Sequence, residues 1–101
     1  MERADVIYLI AETPAARGVF EKPETKERMV FTTVRSVGMR ETYEAMAHDM
    51  KLEAVFELSD RAEYEGEKLC RWNGQLYEIV RTYDAGNKFE LTVKRSDRID
   101  V

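Results

Sequence analysis

The dipeptide Asn73-Gly74 constrains the fold more than any other feature of the sequence, because it separates two runs rich in strand-forming residues. A two-residue Asn-Gly loop favours a type I′ turn, in which both central residues take a positive φ, and this turn joins the strands of a hairpin. A second turn leads to a third run in which apolar and polar residues alternate. The sequence therefore predicts a three-strand antiparallel meander over residues 67–94.

Counting outward from the turn gives the register of the predicted hairpin. It places Trp72 opposite Gln75, Cys70 opposite Tyr77, and Lys68 opposite Ile79. The middle strand then carries apolar residues on both of its faces, which is unusual for a strand with one face in water. We expect a helix or another subunit to cover the second face, which carries Leu76 and Val80. The predicted core residues of the meander are Tyr77, Ile79, Phe89 and Leu91.

Three further runs predict strands, at residues 5–10, 27–37 and 53–58. The first is apolar on both faces and is therefore expected to be buried or paired on both sides. In the second run, alternation separates two faces. One face carries Met29, Phe31 and Thr33, and the other carries Val30, Thr32 and Val34. In the third run, Ala54, Phe56 and Leu58 are expected to point inward.

The connecting segments are polar. Residues 11–28 contain two prolines and a glycine and predict a surface loop, in which Val19 and Phe20 could form a short strand. An alternative is that this segment is an arm that docks on a neighbour, since long loops are often functional. The acidic stretch 59–67 predicts a solvated turn, because the ligand spacing of a calcium loop is absent. Residues 96–101 predict a polar tail.

One segment changes to helical periodicity and predicts a single helix over residues 39–49. Gly38 is an acceptable N-cap, and Glu41 in the first turn suits the helix dipole. One stripe of the helix carries Met39, Tyr43, Met46, Ala47 and Met50. A helix this short is marginal alone and must dock on something. The stripe favours contact with the core over a groove for a partner.

Together these elements predict one mainly β domain over residues 1–101: a small antiparallel β-barrel or strongly curved sheet of five or six strands, with one short α-helix. The chain has 101 residues, of which 44% are hydrophobic, enough for a core. No apolar run is long enough to span a bilayer. Cys70 is the lone cysteine, which fits a reducing cytosol and a buried strand position.

Charge and motifs argue against several functions. The net charge is −4 and no basic stripe stands out, so we do not expect sequence-specific binding of nucleic acid. No motif of a hydrolase, phosphate-binding loop or metalloprotease is present. His48, the lone histidine, lies at the charged end of the helix, where it suits the helix dipole. We therefore expect no enzyme activity and assign no catalytic, cofactor-binding or metal-binding residue.

Six short motifs follow one another in a fixed order over nearly the whole chain. They are Asp5-Val6-Ile7, Val34-Arg35-Ser36-Val37-Gly38, Arg40-Glu41-Thr42-Tyr43-Glu44-Ala45, Tyr64-Glu65-Gly66-Glu67, Trp72-Asn73-Gly74-Gln75-Leu76-Tyr77-Glu78-Ile79-Val80-Arg81-Thr82-Tyr83 and Glu90-Leu91-Thr92. In their joint order and spacing the chain resembles the head closure proteins of tailed bacteriophages, which are also called head–tail joining, stopper or head-completion proteins.

The resemblance implies a structural protein of the virion that is made in the host cytoplasm. Copies would form a ring below the portal and its adaptor, retain the packaged DNA and offer the tail a docking surface. It also implies that the free protein is monomeric or weakly associated, and that residues 37–51 narrow the channel. Two alternatives remain: a tail terminator-type connector, and a small β-barrel binding module of a bacterial host.

Overall fold

A computed structural model describes residues 3–13, 24–48 and 50–98 of the chain. Within them the chain forms six strands, one α-helix and a 3₁₀ turn at Arg61–Glu63. The elements are β1 (Arg3–Thr13), β2 (Glu24–Arg35), α1 (Met39–Met46), β3 (Ala54–Leu58), β4 (Leu69–Trp72), β5 (Gln75–Asp84) and β6 (Phe89–Arg95). The strands form a closed antiparallel barrel in the order β1-β2-β3-β6-β5-β4. The predicted fold class is confirmed, and of the two predicted forms it is the barrel.

The meander forms with the predicted register. Asn73 and Gly74 have φ values of 50° and 76°, as the predicted turn requires. Cys70 pairs with Tyr77, and the Ile79 N–H donates a hydrogen bond of 2.8 Å to the Lys68 carbonyl. The pairing of β5 with β6 shifts by one residue between Ile79 and Arg81, which is a β-bulge that increases the local twist.

β1 closes the barrel, because it is paired on both sides. It pairs with β2 over its whole length and with β4 at Tyr8, Leu9 and Ile10. The predicted pairing of the first strand on both sides is therefore confirmed. Ile7 and Leu9 point into the barrel and are completely buried.

Inward-facing side chains of all six strands form the core. Phe89 and Leu91 are buried, as predicted, and Ile79 is partly buried against them. Phe56 makes edge-to-face contacts with Trp72 and Tyr77, with ring centroids 5.4 Å and 6.3 Å apart. The core members are Ile7, Leu9, Val30, Val34, Ala54, Phe56, Leu58, Cys70, Tyr77, Phe89, Leu91 and Val93.

Cys70 lies in this core with no exposed surface, as its strand position predicts. Burial raises the pKa of the thiol to about 12, because the thiolate would lose its hydration. The thiol is therefore neutral and unreactive at physiological pH.

A second apolar cluster lies outside the barrel and consists of Ile10, Leu69 and Leu76. The Ser96 N–H donates to the Leu76 carbonyl at 3.0 Å, and the Arg98 guanidinium donates to the Glu12 carboxylate at 2.5 Å and 2.7 Å. The prediction of a polar tail is therefore wrong for Ser96, which is buried beside this cluster, whereas Asp97 and Arg98 are exposed as expected. Residues 99–101 lie outside the described part of the chain.

The predicted loop at residues 11–28 is shorter than expected. β1 continues to Thr13 and β2 begins at Glu24, and these two residues are the last pair of the ladder. The prediction was wrong at both ends because backbone hydrogen bonds continue through charged residues when both faces of a hairpin are in solvent. The second strand likewise begins at Glu24 instead of residue 27. Residues 14–23, with the suggested strand at Val19 and Phe20, lie outside the described residues.

Candidate interaction surfaces

Among the described residues, the lone histidine and the lone cysteine belong to no metal-ligating group. No group of three or more His, Cys, Asp or Glu side chains in this part of the chain could hold a metal ion. His48 is exposed in the turn that follows α1, and Cys70 is sealed in the core. Two surfaces of the described residues carry groups of exposed large apolar side chains, and these are the candidate sites.

The first surface is the outer side of α1, and we call it the helix stripe: Met39, Tyr43 and Met46. The three side chains are between 63% and 75% exposed. Gly38 is the N-cap, as predicted, but the helix ends at Met46 and not at residue 49. The expectation that the stripe contacts the core is wrong, because α1 turns Ala45 to the barrel instead.

Charged side chains hold α1 on the barrel. Glu41 accepts a hydrogen bond of 2.6 Å from Arg81 on β5 and lies 3.8 Å from the Arg35 guanidinium on β2. Arg35 in turn contacts Glu57 at 3.0 Å and Glu90 at 2.7 Å. The helix is thus joined directly to β2 and β5 by ion pairs, and Arg35 extends the network to β3 and β6.

This ionic cluster is partly removed from solvent, since Glu57 is buried and Arg35 is half-buried. Burial works against the charge of Arg35, but the hydrogen bonds and charges of Glu90, Glu57 and Glu41 outweigh it and raise the pKa of the guanidinium. Lys88 adds a contact of 2.7 Å to Glu57. This cluster was not predicted from the sequence. Its charged residues are far apart in the chain, and no local pattern distinguishes them from other charged residues at the surface.

A shallow cavity of about 350 Å³ separates the rest of α1 from β5 and β6. Ala45, Met50, Val80 and Thr92 are among the residues that line it. Val80 lies at the bulge of β5 and lines this cavity together with residues of α1. The helix therefore covers part of the second face of β5, and a helix is one of the two covers that the sequence predicts for this face. Leu76 on the same strand is buried instead in the outer apolar cluster.

The second surface is the outer face of the β1–β2 hairpin, and we call it the strand face: Tyr8, Met29 and Phe31. Tyr8 pairs directly with Met29, and Phe31 is the next outward residue on β2. Their exposed fractions run from 41% to 70%. The alternation in β2 predicted that Met29 and Phe31 share a face, and burial of Val30, Thr32 and Val34 shows that this face is the outer one.

The two surfaces lie on different sides of the barrel. The strand face occupies β1 and β2, whereas α1 lies beside Val80 and Arg81 of β5 and Thr92 of β6. In the strand order, β4 separates the two surfaces on one side of the barrel. The chain therefore presents two different apolar surfaces on different sides of the barrel.

The acidic stretch 59–67 closes one end of the barrel. Arg28 contacts Glu65 at 2.9 Å and Glu67 at 2.6 Å, and Glu67 is buried. The prediction of a solvated turn is therefore wrong for Glu67, whose partner on β2 could not be read from local spacing. The ring of Tyr64 stacks on the ring of Phe89. Burial, together with the negative charge of Glu67, raises the pKa of the Tyr64 hydroxyl. These contacts attach the stretch to the barrel.

The opposite end is organised around Trp72. Its indole N–H donates to Asp5 at 2.9 Å, and the Arg3 guanidinium lies 5.3 Å from the centre of the ring. The hydrogen bond from Trp72, followed by that from the Val6 N–H, lowers the pKa of Asp5. These contacts fix the first residues of β1 against β4.

Comparison of the chain with models of known protein families gave no match, and comparison with curated proteins gave none either. No helix among the described residues is long and apolar enough to cross a membrane.

Proposed function

We propose that this protein is a structural subunit of the head–tail connector of a tailed bacteriophage, with the role of a head closure protein. It acts without catalysis or a cofactor. Copies assemble as a ring below the portal and adaptor proteins, retain the packaged DNA and provide the docking surface for the tail. Its place is then the head–tail interface of the virion, after synthesis in the host cytoplasm.

The observation that carries the proposal is the pair of unlike apolar surfaces on different sides of one barrel. A ring is built from head-to-tail contacts, in which each subunit uses one surface towards one neighbour and a different surface towards the other. Two separate exposed surfaces meet this requirement, whereas an enzyme of this size would need a cleft with convergent polar groups. The small barrel with one helix agrees with the fold that the resemblance implies.

The charge of the chain fits a ring through which DNA must pass. A net charge of −4 gives little attraction to phosphates, so DNA is retained by a narrowed channel and not by tight binding. The segment assigned to the constriction is residues 37–51, which include α1. Its attachment to the barrel through Glu41 leaves the helix stripe exposed.

Deletion of the gene from the phage or prophage genome that encodes the chain tests the proposal. We expect DNA-filled heads that lose their genome and carry no tails, with rescue by the wild-type gene. A complementing gene in which residues 37–51 are replaced by a Gly-Ser linker should leave heads that still leak DNA.

The same experiment separates the alternatives. A tail terminator would leave stable filled heads together with tails of uncontrolled length. A binding module of the host would leave the yield and composition of virions unchanged. Either of these results would reject the head closure role.

A further inference from the structure

We infer that, in an assembly of this chain, the helix stripe of one copy packs against the strand face of the next copy. This inference rests on the proposed function, because a ring is what gives each subunit two neighbours. It names the surface on each side of the subunit contact. The occupant of both surfaces is thus a second copy of the chain.

Pairing of identical surfaces is the less suitable arrangement. Two helix stripes that face each other across a two-fold axis would form a closed dimer, and the strand faces would stay exposed. Pairing of the helix stripe of one copy with the strand face of the next covers both surfaces in every subunit that has two neighbours. The two surfaces lie on different sides of the barrel. Each copy is therefore rotated relative to its neighbour, and repetition of the same contact can form a ring.

The two surfaces have similar dimensions. The helix stripe runs from Met39 to Met46, a rise of about 10 Å along the helix axis. The strand face extends for about 7 Å from Met29 to Phe31 and for about 5 Å across to β1, before the length of the side chains is added. An α1 helix therefore fits lengthwise on the outer face of the hairpin.

The chemistry of the two surfaces is also compatible. Each surface carries methionine and aromatic side chains, which adapt to one another and make favourable sulfur–ring contacts. Each is bordered by a pair of opposite charges: Arg40 with Glu44 at 3.3 Å on α1, and Glu27 with Arg71 at 3.2 Å beside the strand face. Neither border has an excess of one sign that would repel the other copy.

The size of the contact predicts its strength. Three large apolar side chains on each partner are far fewer than the roughly 20–30 residues a side of a standard interface of about 1,600 Å². The contact is therefore weak between free subunits. It becomes stable where a platform holds many copies side by side and raises their effective concentration.

Disulfide trapping with single-cysteine substitutions tests the inference. Phe31→Cys and Tyr43→Cys variants are prepared separately, mixed at high concentration and oxidised. A Glu78→Cys variant is the matched control, because Glu78 is exposed on β5 away from both surfaces. Native Cys70 does not interfere, since it is fully buried. Circular dichroism confirms that each variant is folded.

We expect the mixed dimer of the Phe31→Cys and Tyr43→Cys variants to exceed either homodimer, and any dimer with the control, by about tenfold, which corresponds to a preference of about 1.4 kcal/mol. A chain that carries both substitutions should give a ladder of larger oligomers. Predominant homodimers, or a mixed yield equal to that of the control, would overturn the inference.

The outcome is distinguishable from failure of the proposed function. If gene deletion gives leaking heads but trapping shows no preference for the mixed dimer, the connector role stands and this contact is rejected. If trapping shows the preference but virions are unchanged by gene deletion, the chain assembles through these surfaces in some other structure.

Discussion

Arg81 on β5 donates a hydrogen bond of 2.6 Å to Glu41 on α1, and this ion pair joins the helix to a strand 40 residues later in the chain. α1 buries Ala45 against the barrel, while its three large apolar side chains face outward. Ion pairs therefore contribute to the position of the helix beside the burial of Ala45. The chain can therefore hold α1 in place and still expose the helix stripe.

The first prediction concerns this ion pair. Glu41→Gln removes the charge that faces Arg35 and Arg81, so hydrogen exchange in α1 should accelerate while the strands remain protected. Because Arg81 is about half exposed, the loss in global stability should stay below about 1 kcal/mol. Glu44→Gln, which removes the exposed pair with Arg40, is the control and should leave exchange in α1 nearly unchanged. Equal acceleration in both variants would contradict the role of Glu41.

The second prediction concerns the core. Phe89→Ala removes a buried ring that stacks on Tyr64, and the free energy of unfolding should fall by about 2–5 kcal/mol. Phe31→Ala is the matched control, because this phenylalanine is 70% exposed and its truncation should cost less than about 0.5 kcal/mol. Urea denaturation of the two variants measures the difference. Similar losses would show that the meander is not central to the core.

The third prediction concerns the turn of the hairpin. Gly74 has a φ of 76°, and a side chain added there would meet no other atom within 4 Å. The cost of Gly74→Val is therefore conformational, and we expect a loss of about 1–2 kcal/mol on thermal or urea unfolding. Gly74→Asn should be tolerated better, since asparagine adopts positive φ more readily. The reverse order would mean that the turn changes conformation on substitution.

The fourth prediction concerns pH. The folded-state pKa of Asp5 is lowered from its ordinary value of 3.8, chiefly by the hydrogen bond from Trp72. A lowered folded-state pKa gives stability that is present above the ordinary value and is lost as the pH falls through the folded-state value. The stability difference between wild type and Asp5→Asn should therefore be constant above about pH 5 and shrink below pH 3.8.

Urea denaturation at several pH values, monitored by fluorescence, measures this difference. Trp72 is the lone tryptophan, so its fluorescence also reports directly on the bond to Asp5. A difference that grows as the pH falls would have the wrong sign and would reject the assignment.

The fifth prediction concerns DNA. The free protein should bind duplex DNA no more tightly than a Kd of about 10⁻⁴ M at physiological salt, because no basic stripe neutralises phosphates. Fluorescence anisotropy with a labelled duplex measures this affinity. Micromolar binding with a steep dependence on salt would favour the binding-module alternative over the connector.

The meander, the register of its hairpin and the inward faces of β3 and β6 were predicted from the sequence, because these features depend on local signals. Asn73-Gly74 specifies a turn through its backbone preferences, and alternation in a strand specifies which side chains share a face. Gly38 before the helix is a signal of the same kind. The alternation in β2 likewise grouped Met29 with Phe31 on one face.

Long-range contacts decided the rest. Pairing of β1 with β4 closes the barrel between residues about 60 positions apart, and no local pattern distinguishes this from an open curved sheet. The outward direction of the helix stripe was decided by Arg35 and Arg81, which hold Glu41 from distant strands. The helical periodicity of a sequence shows which residues share one side of the helix. It does not show which side contacts the barrel, because this depends on the positions of residues from distant strands.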